Sequence, residues 1–292
     1  MIGDVVVGLA IGSAYSLMAV AVVLVYSGTR VLSLALGEIG AFTLYAGLYA
    51  HQHGILGWKP SVFLAAVFAV LAGGVLGLVV ERFVMRPLVG RPALDGLVAT
   101  LAVALFLALA ELKLYGLDPL AAPSPVGDGS IRIAGSTLTV TEIVLLALAA
   151  AVALGLYLFL TRTKFGLATR ATTSDLVVAR LLGVKVNRVY VFSWGVAGLL
   201  SGAAAALLAP INGSLTPFSL TTALLSALAG AVIGGLDSLG GAILGSLLVG
   251  VVTGVIGARV DPATSAGVVF VAVLATLLIR PQGIFGSVRA AT

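Results

Sequence analysis

The sequence predicts an all-α polytopic membrane protein, and three observations carry this prediction. Of its 292 residues, 60% are apolar and only 9% are charged, whereas about a quarter of the residues in a soluble domain are charged. The apolar residues form long runs between short polar breaks, and most runs are long enough to cross a bilayer. The 37 glycines allow transmembrane helices to approach closely in lipid, where no hydrophobic driving force brings them together.

Eight or nine hydrophobic segments are predicted from these runs. The second contains Gly37 and Glu38, and two later segments are rich in glycine, so these three are candidates for broken or re-entrant helices. No linker or soluble unit interrupts the pattern, so residues 1–292 are predicted to form a single transmembrane domain. The segments cover residues 5–26, 32–49, 62–80, 94–112, 140–160, 189–208, 220–234, 240–256 and 266–279.

Basic residues are distributed unevenly between the two ends of the predicted segments. One side carries 12 of the 16, in the turn after the first segment, the 81–93 loop, the segment 161–188 and the C-terminal tail. The positive-inside rule places this side in the cytoplasm. We therefore expect an external N-terminus, a cytoplasmic C-terminus, nine crossings if every segment crosses, and an external loop over 113–138. The other side carries the remaining four, Lys59, Lys113, Arg132 and Arg259.

The sequence favours a transport subunit over an enzyme. It has no cysteine and only two histidines, and no G-x-x-x-x-G-K-[ST] loop that could hold ATP. We predict no catalytic residue, no metal site, no cofactor on this chain and no nucleic-acid partner. Glu38 is the one carboxylate deep in an apolar run, and a single such group is too few for a pathway of coupled ions or protons. The energy source is therefore expected on another chain. The alternative is an ion-coupled secondary carrier or channel.

Residues 172–183, within the basic segment 161–188, predict a short cytoplasmic helix. Ser174 can serve as its N-cap, Asp175 favours its first turn, and Gly183 follows its end. Such a helix suits docking into a groove of a partner protein, and it equally suits lying on lipid headgroups, because basic residues surround it. Its predicted apolar face consists of Val178, Leu181 and Leu182.

Six short motifs follow one another along almost the whole chain. Each is only moderately specific, but together they resemble the permeases of branched-chain amino-acid ABC transporters, the LivH/LivM family. The stretch ERFVMRPL is similar to the LivH-like subunit. The motifs are GLAIGSAYSL at 8–17, LGEIGAF at 36–42, ERFVMRPL at 81–88, TKFGLATRA with ARLLGV over 163–184, VIGGLDSLGGA at 232–242 and RPQGIFG at 280–286.

This resemblance implies a subunit of an assembly in a prokaryotic cell membrane. The expected partners are a sister permease, usually forming a heterodimer, two ATPase subunits that bind ATP and Mg²⁺, and an extracytoplasmic solute-binding protein. The expected solutes are branched-chain amino acids or related small polar molecules, with urea and short amides as the alternative. The implied ATPase-coupling residues are Ser174, Asp175, Val178, Ala179, Leu181, Leu182 and Gly183.

Six residues are candidates for lining or gating the translocation path. Each also has a structural interpretation. The carboxylate in the second segment could instead lie near the cytoplasmic interface, the first-segment hydroxyls could join helices, and the paired glycines could form a close-packed turn. The candidates are Ser13, Tyr15, Gly37, Glu38, Gly234 and Gly235.

The chain departs from the family pattern at two of these motifs. Leu36 stands where the family commonly has His or Gln before Gly-Glu, and Asp237 stands where it commonly has Gly after the Gly-Gly pair. We expect either change to alter solute preference or local packing.

Overall fold

A computed structural model of the chain describes residues 2–54, 59–127, 129–133, 136–174 and 176–286. Helices dominate this part of the chain, and a short π-helical stretch, Glu81–Met85, follows the third. The α-helices are α1 Ile2–Thr29, α2 Leu36–His53, α3 Val62–Val80, α4 Ala93–Tyr115, α5 Val140–Arg162, α6 Lys164–Ser174, α7 Leu176–Leu181, α8 Val186–Asn212, α9 Ser219–Gly234, α10 Leu239–Arg259 and α11 Pro262–Ile279.

The predicted fold class is confirmed. Six of these helices, α1, α3, α4, α5, α8 and α10, are long and apolar enough to cross a membrane. Helices α9 and α11 are apolar but shorter, and α2 has 18 residues. These nine helices coincide with the nine predicted hydrophobic segments.

Helices α1 and α8 form the centre of the molecule. Both are mostly buried, and α1 packs against α8, α9, α10 and α5, whereas α3 packs along α8. Glycines bring α1 and α10 into backbone contact. A Cβ added at Gly8 would lie 2.8 Å from the Cα of Val251, and one added at Gly12 would lie 2.9 Å from the Cα of Leu247. Small residues thus allow the close approach that packing in lipid requires.

The outer helices present apolar side chains away from the core. Phe63 of α3, Phe106 of α4 and Leu278 of α11 are all more than half exposed. A polar solvent would penalise this surface, whereas lipid chains or a neighbouring membrane helix would cover it.

Short strands lie in the two connections that follow α4 and α8. Helix α4 continues to Tyr115, so the predicted loop over 113–138 begins later than expected and contains structure. Strand β1, Leu120–Ala121, pairs antiparallel with β4, Ser214–Leu215. Strand β2, Ser130–Ile133, pairs with β3, Ser136–Thr139. The β1–β4 pairing ties the end of α4 to the end of α8.

Two ion pairs join distant parts of the chain. Asp4 at the start of α1 accepts from Arg259 at the end of α10, with 2.9 Å between Oδ2 and Nη2. Arg30, just after α1, donates to Asp237 in the α9–α10 turn over 2.9 Å. Each pair connects two positions that the charge distribution assigns to one side of the bilayer.

Candidate translocation site and coupling segment

The second helix begins inside the protein, because an extended stretch carries the chain inward after α1. In that stretch the backbone N–H of Leu34 donates to Oγ1 of Thr100 over 3.3 Å, and Thr100 lies two turns inside α4. Ser33 and Ala35 are fully buried. Non-helical backbone at this depth is tolerated when protein surrounds it. Helix α2 itself is continuous from Leu36 to His53, so Gly37 and Glu38 lie at its buried start and do not interrupt it.

Glu38 lies in the first turn of α2 and is 1% exposed. Its Oε1 accepts a hydrogen bond from the hydroxyl of Thr221 in α9. Its Oε2 has no partner among the residues that the structure describes. Next to it, a Cβ added at Gly37 would lie 2.8 Å from the carbonyl oxygen of Leu220. The first turns of α2 and α9 are therefore in contact, with a carboxyl group between them.

A second buried carboxyl group, Glu111 of α4, lies near Glu38. Glu111 is not among the candidates predicted from the sequence, because it lies near the end of its hydrophobic segment; it is 0% exposed, one turn before the end of α4. Neither of its carboxyl oxygens has a hydrogen-bond partner in the described part of the chain. It is close enough to Glu38 and to Tyr45 for electrostatic interaction with both.

Aromatic hydroxyl groups complete this cluster. The ring of Tyr45 stacks on Tyr115, with 5.3 Å between centroids, and its hydroxyl donates to the carbonyl oxygen of Leu215 over 3.0 Å. We define the polar cluster as Glu38, Tyr45, Glu111, Tyr115 and Thr221. It joins α2, α4 and α9 and offers carboxyl oxygens with free acceptor capacity, which suits a solute with N–H donors.

The first-helix candidates are placed differently from one another. Tyr15 is buried, and its hydroxyl lies near Ser226 of α9. Ser13 is also buried, but its hydroxyl donates to the carbonyl oxygen of Leu9 in its own helix over 2.8 Å. The structure therefore places Tyr15 against α9, and directs the Ser13 hydroxyl to its own backbone.

Gly234 and Gly235 lie at the far end of α9, about 20 Å along that helix from Thr221. The C-terminal segment crosses this end: the N–H of Ile284 donates to Ile233 over 2.8 Å and that of Phe285 to Gly234 over 3.0 Å. Gly235 has a φ of 110°, and a Cβ there would lie 2.9 Å from the carbonyl oxygen of Gln282. These glycines form a close-packed turn and are not brought together with Glu38.

Helical structure in the coupling segment begins earlier than predicted. The hydroxyl of Thr163 accepts from the N–H of Gly166 over 3.2 Å, so α6 begins there and includes Ser174. The prediction of Ser174 as an N-cap was therefore wrong, because Ser174 lies within helical structure and not before it. Asp175 lies outside the described residues.

Helix α7 ends in the predicted way. Gly183 has a φ of 81°, its N–H donates to Arg180, and the N–H of Val184 donates to Ala179, both over 3.0 Å. These two bonds form a Schellman motif, which favours glycine at this position.

The surface of α7 divides sharply between buried and exposed residues. Ala179 is 1% exposed and faces the protein. Val178 is 48% exposed, Leu181 82% and Leu182 75%. The three large apolar side chains that the sequence assigned to one face are thus all presented outward.

Comparison with known proteins identifies the family. The family model for the branched-chain amino acid transport system / permease component matches residues 5–278. The chain belongs to this family. Membership confirms the resemblance predicted from the six motifs, and it makes the chain a membrane permease component of a transport system.

Relatives match this permease over nearly its whole length. BraD of Pseudomonas aeruginosa, a high-affinity branched-chain amino acid transport system permease protein, is 31% identical over 96% of this chain and 94% of BraD. LivH of Escherichia coli, which has the same description, is 27% identical over 96% of this chain and 93% of LivH. A probable LivH of Methanocaldococcus jannaschii is 29% identical over 92% and 88%.

One solved structure shares the fold. It is described as PsaBC from Streptococcus pneumoniae in complex with Fab, and it covers 94% of this permease and 91% of the matched chain. The TM-score is 0.51 and the sequence identity is 16%, so the similarity concerns the arrangement of helices.

Proposed function

We propose that this permease is the membrane-spanning subunit of an ATP-driven importer of branched-chain amino acids or related small polar solutes. The names of its relatives support the solute class. Its working partners are a sister permease, two ATPase subunits that bind ATP and Mg²⁺, and an extracytoplasmic solute-binding protein. The permease itself binds no nucleotide in this scheme.

The exposed face of α7 is the observation that supports ATPase coupling. Val178, Leu181 and Leu182 are large apolar side chains on a short helix between two membrane helices. Water penalises such a surface, and a hydrophobic groove in a partner protein would relieve that penalty. ATP-driven closure of the ATPase pair then moves α7, and through the Schellman turn at Gly183 it moves the start of α8.

The polar cluster supports transport of a solute with N–H donors. Glu38 and Glu111 have carboxyl oxygens without partners among the described residues, and an amino or amide group could satisfy them. Urea and short amides share this chemistry, so they remain the second solute class. Burial of the cluster fits a site that opens only when α2, α4 and α9 move apart.

Solute-stimulated ATP hydrolysis in liposomes tests this proposal. The complex contains this permease, its sister, the ATPases and the binding protein, and wild type is compared with Leu182→Asp and with Lys185→Asp. Lys185 is exposed three residues further on, so it controls for an added carboxylate on the same surface. We expect leucine to stimulate the wild type and the control, and Leu182→Asp to abolish stimulation while the permease pair still assembles.

Two results would contradict the proposal. Equal stimulation of the wild type and Leu182→Asp would remove the docking role of α7. Uptake that persists without any ATPase would favour the ion-coupled carrier. If urea alone stimulated ATP hydrolysis, the solute would be urea and the ATP-driven mechanism would stand.

A further inference from the structure

A cavity of about 280 Å³ lies apart from the polar cluster, at the opposite end of the helices. The end of α1, the turn between α3 and α4, helix α6 and the start of α8 surround it. We call it the basic pocket and define it by Thr29, Arg30, Arg91, Pro92, Thr172 and Tyr190. It opens on the side that carries most of the basic residues.

Two arginines give the basic pocket a positive charge. Arg91 is exposed and forms no ion pair within the described part of the chain. Arg30 is held in place by Asp237 at 2.9 Å and lies 5.4 Å from the ring centroid of Tyr26. Because Arg91 has no carboxylate partner among the described residues, it gives the pocket a positive charge.

The start of α4 adds a second source of positive potential. Pro92 is the N-cap residue and provides no side-chain hydrogen bond to the first turn. The first amide groups of a 23-residue helix therefore lie at the pocket without a side-chain cap, and the positive end of the helix dipole is there. Asp95 is in the same turn, but it is exposed and does not line the cavity.

A buried tyrosine that lines the cavity provides independent support. Tyr190 is only 7% exposed and lines the pocket, and its side chain has no hydrogen-bond partner among the residues described here. The two threonine hydroxyls are occupied, since Thr29 donates to Val25 and Thr172 donates to Ala168, each over 2.8 Å. The Tyr190 hydroxyl is therefore available to donate to a ligand oxygen.

We propose that the basic pocket binds a small organic anion. Its carboxylate or phosphate oxygens lie between Arg91, the start of α4 and the Tyr190 hydroxyl. Its short apolar part contacts Val31 and Leu88, which also line the cavity. The volume is near the lower limit of small-molecule pockets, about 300 Å³, so the ligand is a single compact molecule or one lipid headgroup.

Binding to the permease in nanodiscs tests this proposal without relying on transport. The probes are 4-methylpentanoate, which has a carboxylate and a branched apolar tail but no ammonium group, and inorganic phosphate. Arg91→Gln and Tyr190→Phe are compared with Arg188→Gln, an exposed arginine outside the pocket. We expect Kd to rise about tenfold in the first two, because each loses a hydrogen bond to a charged group, and to stay unchanged in Arg188→Gln.

The lipid composition of the nanodisc distinguishes the two sources of the anion. If phosphatidylglycerol displaces the carboxylate from wild type and not from Arg91→Gln, the natural ligand is a lipid headgroup. If phosphatidylcholine and phosphatidylglycerol nanodiscs give the same Kd, the ligand is a free small anion. Equal affinities in Arg91→Gln and Arg188→Gln, or no binding of either probe with no displaceable phosphatidylglycerol, would overturn the proposal.

Discussion

A single hydroxyl group, that of Thr221, donates to the Glu38 carboxyl group. The carboxyl group is buried in the first turn of α2, and the hydrogen bond from Thr221 is its one side-chain contact of this kind in the described residues. An unsatisfied buried acceptor costs about 1–3 kcal/mol, and more if it is charged. The contact also connects α2 to α9, so one hydrogen bond joins the first turns of two helices.

We therefore expect Thr221→Val to destabilise the permease by about 1–3 kcal/mol, because it leaves Glu38 buried without a donor. A fall in the Tm of the purified permease measures this effect. Thr43→Val is the matched control, since Thr43 is also buried but its hydroxyl donates only to its own helix, to Ile39 over 2.9 Å. Equal falls in Tm for the two variants would mean that the Thr221–Glu38 bond has no special contribution.

At the level of residues, the sequence indicated that Glu38 is buried, but it did not indicate which face of a helix meets the rest of the protein. Glu38 stood out because it interrupts an apolar run, whereas Glu111 lies near the end of its run and was not singled out. Its burial depends on which face of α4 meets α2, and on the continuation of α4 to Tyr115. No property of the single sequence fixes that rotation.

At the scale of elements, the end of α9 depends on a distant segment. The last carbonyl groups of a helix lack partners within that helix. Here the N–H groups of Ile284 and Phe285 satisfy two of them, at Ile233 and Gly234. The closing motif RPQGIFG thus has a structural role in completing α9, which its position near the C-terminus did not indicate.

Ile284→Pro should loosen this contact, because proline has no N–H to donate to Ile233. We expect faster hydrogen–deuterium exchange at Phe285 and a loss of about 0.5–1.5 kcal/mol in stability. Ile284→Ala keeps the N–H and removes most of the side chain, so it separates the backbone bond from side-chain packing. If the two variants exchange alike at Phe285, the backbone bond does not hold the segment in place.

Helices were easier to predict than their junctions. Long apolar runs located nine of the described helices within a few residues, because lipid requires backbone groups to be satisfied within each segment. The start of the helical coupling segment was misplaced because Thr163 and Ser174 are both capable N-caps, and Thr163 is the one that caps. The pairing of Asp237 with Arg30 also explains one departure from the family pattern, since an aspartate there gains a cationic partner.

At the scale of the whole molecule, the charge distribution predicts an external N-terminus and a cytoplasmic C-terminus. The chain has no cysteine, so a single introduced cysteine reports its own side of the membrane. We expect a membrane-impermeant maleimide to label Leu117→Cys in intact spheroplasts and Lys185→Cys only after permeabilisation. Both positions are exposed. The reverse pattern would invert the orientation, and the cysteine-free parent provides the background.

We expect the β1–β4 pairing to act as a fixed point when the helices of the permease move. It fastens the ends of α4 and α8 to each other at one face, and no comparable strand pairing is found at the other face within the described ranges. Displacements about a fixed point grow with distance from it. A force applied to α7 should therefore move the helices furthest apart near Arg30 and Asp237 and least near Leu215. The permease would then open at the end that carries α7 and stay closed at the end that carries the strands.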